Sequence, residues 1–113
     1  MPNAASFVDG VVFSRGQVVP AVNMRVRFGF ERAERDLRTR LLVVQAGARS
    51  VGLLVDACRE FLTIPPTSIQ APGERLTGVG AHYISGIATL HDRLIVILNL
   101  GALLDSAEPI LAA

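Results

Sequence analysis

The chain has 113 residues, half of them apolar, with 11 basic and 10 acidic side chains and a formal net charge of +1. That length suits one ordinary domain with one core, and the near-neutral charge excludes a function resting on bulk attraction to nucleic acid or an acidic membrane. The longest apolar run, residues 94–104, is far shorter than the roughly 18–20 residues of a spanning helix and is broken by Asn99 and Gly101, so no direct membrane insertion is expected.

The N-terminus carries no basic segment followed by an apolar stretch of the secretory kind, and a cytoplasmic location is expected. Residues 10–14 and 18–22 are short β-branched runs on either side of Arg15-Gly16-Gln17, which reads as a β-hairpin. Pro20 has no N–H to give a ladder, so the second strand is expected at an edge or at a bulge. Asn23 can cap, and the segment bearing Met24, Val26 and Phe28, stopped by Gly29, fits either a helical turn or a strand end. Residues 31–40 alternate Arg with Glu and Asp and read as a solvated loop.

Residues 41–46 and 51–56 flank Gly47-Ala48-Arg49-Ser50 in the clearest hairpin, and their almost unbroken apolar character predicts strands buried on both faces. Residues 60–64 read as a further strand ended by Pro65-Pro66, and residues 67–80 as a long loop rich in Gly, Pro, Ser and Thr. Residues 83–90 and 94–98 form a third hairpin around His91-Asp92-Arg93. Asn99 then caps a short helix over residues 100–104 with Leu100, Leu103 and Leu104 on one face. Strands of this length and spacing predict an all-β fold, a small barrel or sandwich, with short helices.

The chemistry-bearing residues do not assemble into a motif. Cys58 is the single cysteine and is expected as a buried, packed thiol, while His82 and His91 lack the spacing of metal ligands. Gly78-Val79-Gly80 lacks the helix and the Lys-Ser/Thr pair that complete a phosphate loop, and no cofactor is expected. Arg35, Arg38 and Arg40 are interleaved with acids and have no aromatic residue for base stacking, so nucleic acid is not an expected partner. All eleven basic residues are Arg, the side chain suited to planar, bidentate pairing. Arg15 differs from the rest because a hairpin tip presents it beside Gly16, where a partner's backbone can approach.

Residues 10–20, Gly-Val-Val-Phe-Ser-Arg-Gly-Gln-Val-Val-Pro, followed by Met24-Arg25-Val26-Arg27-Phe28-Gly29, resemble the signature hairpin of the CheW family of chemotaxis coupling proteins. Val51-Gly52-Leu53-Leu54-Val55-Asp56 is similar to that family's V-G-hydrophobic-V-D strand. Tyr83-Ile84-Ser85-Gly86 with residues 94–104 is similar to its C-terminal strands and helix.

The resemblance implies SH3-like β-barrels of the CheW type, one barrel incomplete, in a single domain over residues 1–113 that is short at its N-terminus. It implies a non-catalytic adaptor whose partners are the regulatory domain of a CheA-type histidine kinase and the cytoplasmic tip of a methyl-accepting chemoreceptor. By position, Arg15 and Gly16 match the hairpin Arg-Gly implicated in coupling, and Gly10 and Gly52 match glycines near the receptor-facing region. The family's first strands have no counterpart in this sequence. Exposed edges left by them make a homodimer or strand exchange the expected remedy. A module that self-associates without coupling is the alternative expectation, and a small-ligand or nucleic-acid barrel is a third.

Overall fold

A computed structural model describes residues 5–73 and 79–105. The chain divides into two compact units, one formed by Met1–Arg59 with Leu104–Ala113 and the other by Glu60–Leu103. Both are built mainly from antiparallel hairpins, and the fold is mostly β with short helices, as expected.

In the first unit, β1 (Val8–Ser14) and β2 (Gln17–Asn23) pair antiparallel around Arg15 and Gly16, whose φ values of 51° and 77° make a turn with two left-handed residues. Such a turn matches the natural twist of the two strands. β2 runs into α1 (Met24–Arg27), which stops at Gly29 with φ 84°. β3 (Arg40–Ala46) and β4 (Arg49–Val55) close around Gly47, φ 64°, and Ala48. β2 and β4 then pair in parallel from Ala21↔Gly52 to Asn23↔Leu54, giving the sheet order β1-β2-β4-β3. Parallel pairing brings the β1–β2 and β3–β4 turns to the same end of the sheet. The core of this unit holds Ala5, Phe7, Val19, Ala21, Val22, Met24, Val51 and Leu53.

Two expectations about this sheet are corrected. Pro20 lies in an interior strand, not at an edge, because β2 is flanked by both β1 and β4. Counting from the turn, Ser14–Gln17 and Val12–Val19 are the hydrogen-bonded pairs and Val11–Pro20 is not, so the proline nitrogen points toward the β4 side. There the β4 ladder begins only at Ala21, and no hydrogen bond is lost. Burial on both faces holds for β4, where Val51, Gly52 and Leu53 are buried in succession, but not for β3. β3 is an edge strand, and Val43 is 48% exposed.

In the second unit a single-turn 3-10 segment, Pro66–Ser68, leads into the two-residue β5 (Ile69–Gln70). A second 3-10 segment, Val79–Tyr83, leads into β6 (Ile84–Leu90), which turns through His91 and Asp92 into β7 (Arg93–Leu98). Their φ values of 51° and 62° repeat the two-residue left-handed turn without glycine. The sheet order is β5-β6-β7, and α2 (Leu100–Leu104) follows, capped by Asn99, whose Oδ1 accepts from Ala102 N–H at 3.1 Å.

The expected strand over residues 60–64 is absent: the segment has no regular structure and Phe61 is 92% exposed. β-propensity reports how well a side chain packs on a pleated neighbour, and no strand among the described residues pairs with this segment. The expected long loop over residues 67–80 instead contains β5, while residues 74–78 lie outside the described residues. Within this unit only Ala88 and Leu103 are buried hydrophobics among the described residues.

Candidate protein-binding surfaces

The hairpin tip presents the first pair of predicted residues. Arg15 and Gly16 are both exposed, and Arg15 makes no hydrogen bond to any described residue. Just behind the tip, Phe13 and Val18 face each other across the strands at 81% and 47% exposure. A guanidinium with no partner among the described residues, above an exposed aromatic–aliphatic pair, is a surface equipped for another protein, since Arg and aromatic side chains dominate interface energetics. Sequence reasoning missed Phe13 and Val18; their alternation with Val12 and Val19 on the two faces of the hairpin was the available signal.

Gly10 and Gly52 are brought together with each other but not with the tip. Gly10 pairs with Ala21, Ala21 with Gly52 and Gly52 with Val43, so the two glycines stand in one row across all four strands. A Cβ on Gly52 would lie 2.9 Å from Leu41 Cδ1, which gives this glycine a packing reason of its own. Five positions separate Gly10 from Arg15, about 17 Å at roughly 3.3 Å per strand residue.

Gly10 has a second peculiarity. The β1–β2 register shifts between Val8 and Gly10, Gly10 has φ 157°, and Asp9 is the extra residue of the bulge. Bulges re-aim side chains, and this one turns Asp9 onto Asn23 and the following loop. Asp9 accepts from Asn23 Nδ2 at 2.8 Å and from Arg32 at 2.6 Å, with Arg35 at 3.9 Å. Burial pushes the Asp9 carboxyl up, but the hydrogen bonds from Arg32 and Asn23 and the two Arg charges outweigh it and hold it below its usual range. The loop expected to be merely solvated is therefore tethered through Arg32 and Arg35. The buried Asn23 also caps α1, its Oδ1 accepting from Val26 N–H at 3.2 Å.

An apolar groove of about 560 Å³ opens beside α1, lined by Met24, Phe28, Phe30 and Leu54. At its rim Arg25 grips Asp56 with a two-pronged contact, Nε to Oδ1 at 2.9 Å and Nη2 to Oδ2 at 2.7 Å. The hydrogen bond from Arg25 lowers the Asp56 carboxyl and its charge adds to this, against a smaller opposing effect of desolvation. This is the planar pairing that an all-Arg composition favours. Neither residue was singled out as a pair from sequence, because they lie 31 positions apart.

The other chemistry-bearing residues stay apart. Cys58 is half-buried, not buried as expected, because it lies past the end of β4 in a segment without regular structure. His82 packs edge-on against Tyr83 and His91 sits in the β6–β7 turn. Among the described residues no three His, Cys, Asp or Glu side chains gather where a metal ion would need them, and no helix is long and apolar enough to cross a membrane.

The sequence pattern of the CheW-like domain matches residues 1–108. This chain belongs to the CheW-like domain family. It is 33% identical over 108 residues to the chemotaxis protein CheW of Rhizobium meliloti, covering 96% of this chain and 70% of that protein. It is 29% identical over 106 residues to the CheW of Klebsiella aerogenes, covering 94% and 64%. The crystal structure of the scaffolding protein TtCheW from Thermoanaerobacter tengcongensis superposes with a TM-score of 0.82 at 28% identity, covering 95% of this chain and 73% of that one. The two-sheet, mostly β architecture is thus the CheW fold, and the CheW-like match takes in both compact units.

Proposed function

We propose that this chain is a single CheW-like domain acting as a non-catalytic chemotaxis adaptor in the cytoplasm. In this reading it couples a chemoreceptor's cytoplasmic tip to the regulatory domain of a CheA-type histidine kinase. The observation that carries the reading is the CheW-like match over residues 1–108. The exposed Arg15–Gly16 tip over Phe13 and Val18 supports it as a contact surface, while Gly10 and the buried Gly52 share one row across the sheet of the first unit. An adaptor makes and breaks no bond. It contributes binding free energy to two partners at once, so its output is a coupling free energy between them and not a turnover.

The test is reconstitution: receptor-containing membranes, the kinase and this chain are combined and kinase autophosphorylation is followed with and without attractant. Receptor control of the rate that depends on added chain supports the adaptor reading. Kinase activity indifferent to the chain at saturating concentration overturns it.

A further inference from the structure

The parallel β2–β4 ladder, followed toward the turns, brings a second arginine beside the Arg15 tip. Ala21 pairs with Gly52, so three positions back on each strand Val18 falls beside Arg49. A pocket of about 200 Å³ lined by Val18, Pro20 and Arg49 bears out that adjacency. Phe13 pairs with Val18 and Ala46 with Arg49, and residues directly opposite one another share a face of the sheet. Phe13, Val18 and Arg49 therefore form one row on one face, at the end of the sheet that carries both turns. All three are exposed, as is Arg15 in the adjoining turn.

Charge is spread unevenly along this sheet. Residues 10–30 and 37–55 hold no Asp or Glu, so neither hairpin supplies a carboxylate at the turn end. The acids nearest in sequence, Asp9 and Asp56, stand at the opposite end and are already held, Asp9 by Arg32 at 2.6 Å and Asp56 by Arg25 at 2.7 Å. Arg15 and Arg49 form no ion pair among the described residues. Neighbouring strands lie roughly 5 Å apart, so long side chains from the β1–β2 turn and the start of β4 reach a common anion. Each guanidinium offers a planar fork that takes a carboxylate with two hydrogen bonds, and two like charges held this close favour a negative group between them. Phe13 and Val18 add an apolar platform in the same row. Two cations beside an apolar platform suit an acidic protein segment and not a nucleic-acid backbone, which needs a run of phosphate contacts.

We propose that Arg49 joins Arg15 in one contact surface and that the partner segment it takes is acidic. An Asp or Glu carboxylate of the partner sits between the two guanidiniums, with an apolar side chain of the same segment on Phe13 and Val18. The inference rests on the adaptor reading for which proteins carry that segment, and it adds the residue and the chemistry by which they are recognised.

Surface plasmon resonance against the regulatory domain of a cognate CheA-type kinase and against a receptor cytoplasmic fragment tests it, at low and at high salt. The chains compared are the wild type, Arg15→Ala, Arg49→Gln, Arg49→Lys and Arg49→Glu. Arg49→Gln should weaken, by about fivefold or more at low salt, the same partner that Arg15→Ala weakens, and Arg49→Glu should weaken it further. Arg49→Lys keeps the charge without the fork and should recover part of the loss. Added salt should shrink the difference between wild type and Arg49→Gln. Circular dichroism melts check folding, and Arg49→Gln carries the test if Arg49→Glu does not fold. Arg49 variants that bind as the wild type does, while Arg15→Ala binds less, overturn the proposal and leave the adaptor reading standing. So does an Arg49→Gln loss that salt leaves unchanged, which would assign Arg49 a packing contact instead of a carboxylate. A folded wild type that binds neither protein overturns the adaptor reading and this proposal with it.

Discussion

The Asn23 amide donates to the Asp9 carboxylate at 2.8 Å while its own oxygen accepts from Val26 N–H at 3.2 Å, so one buried side chain ties the β1 bulge to the start of α1. Replacing it removes a helix cap and leaves a half-buried carboxylate without one of its donors. Asn23→Leu is expected to cost about 1–3 kcal/mol in urea denaturation. Asn23→Asp keeps the cap acceptor but sets a second carboxylate beside Asp9. It should therefore be worse at neutral pH than under acid, and a penalty independent of pH would contradict the contact.

Asp9 also sets a pH dependence. Its carboxyl is held below the ordinary 3.8 in the folded chain, although burial alone pushes it the other way. A carboxyl that ionises more readily when folded stabilises the fold while it is charged. The stabilisation is complete above the unfolded-state value and is lost as pH falls through the lowered native value. Asp9→Asn should flatten the fall in urea midpoint between about pH 5 and pH 2 relative to the wild type. The Asp56 carboxyl is lowered as well, but its pair with Arg25, the two side chains 63% and 41% exposed, is open to screening, so added salt should erase its part before that of Asp9.

Two glycines make a paired prediction about packing. At Gly52 an added Cβ meets the far end of a leucine, Leu41 Cδ1 at 2.9 Å, and the half-buried Leu41 has room to yield. At Gly86 the Cβ meets Ile69 Cγ2 at 2.9 Å and the backbone oxygen of Gln70 at 3.1 Å, and the latter moves only if β5 moves. Gly86→Ala should therefore cost more, about 1–3 kcal/mol, than Gly52→Ala at about 1 kcal/mol. Leu41→Ala should relieve the Gly52→Ala penalty in a double-mutant cycle, with the coupling read from thermal or urea unfolding.

What the sequence made legible follows from how local each signal is. The hairpins around Gly16, Gly47 and His91-Asp92 were readable because tight turns demand particular residues within a few positions. The caps at Asn23 and Asn99 were readable for the same reason. The order of strands was not: Pro20 looked like an edge residue until the parallel β2–β4 ladder was seen to begin one residue later. Residues 60–64 have strand-like side chains but pair with no strand among the described residues, and no local pattern reports that. Among the candidate binding residues, Arg15 and Gly16 were legible from the turn, whereas the Gly10–Ala21–Gly52 row and the Arg25–Asp56 grip depend on chain segments some thirty positions apart.

The hairpin tip separates binding from stability. Arg15 is exposed and makes no hydrogen bond to a described residue, so Arg15→Ala should shift unfolding free energy by no more than about 0.5 kcal/mol. Phe13→Ala, at 81% exposure, should behave alike. A large loss of melting temperature in either would assign the residue to the fold instead of to a partner.

The most direct measurement is a calorimetric titration of the full 113-residue chain into the regulatory domain of a cognate CheA-type kinase, repeated with Arg15→Ala and with a receptor cytoplasmic fragment present. Saturable binding weakened by Arg15→Ala, with the fragment and the kinase domain bound together, is the predicted result. A well-folded chain that gives no heat of binding with either partner would contradict it.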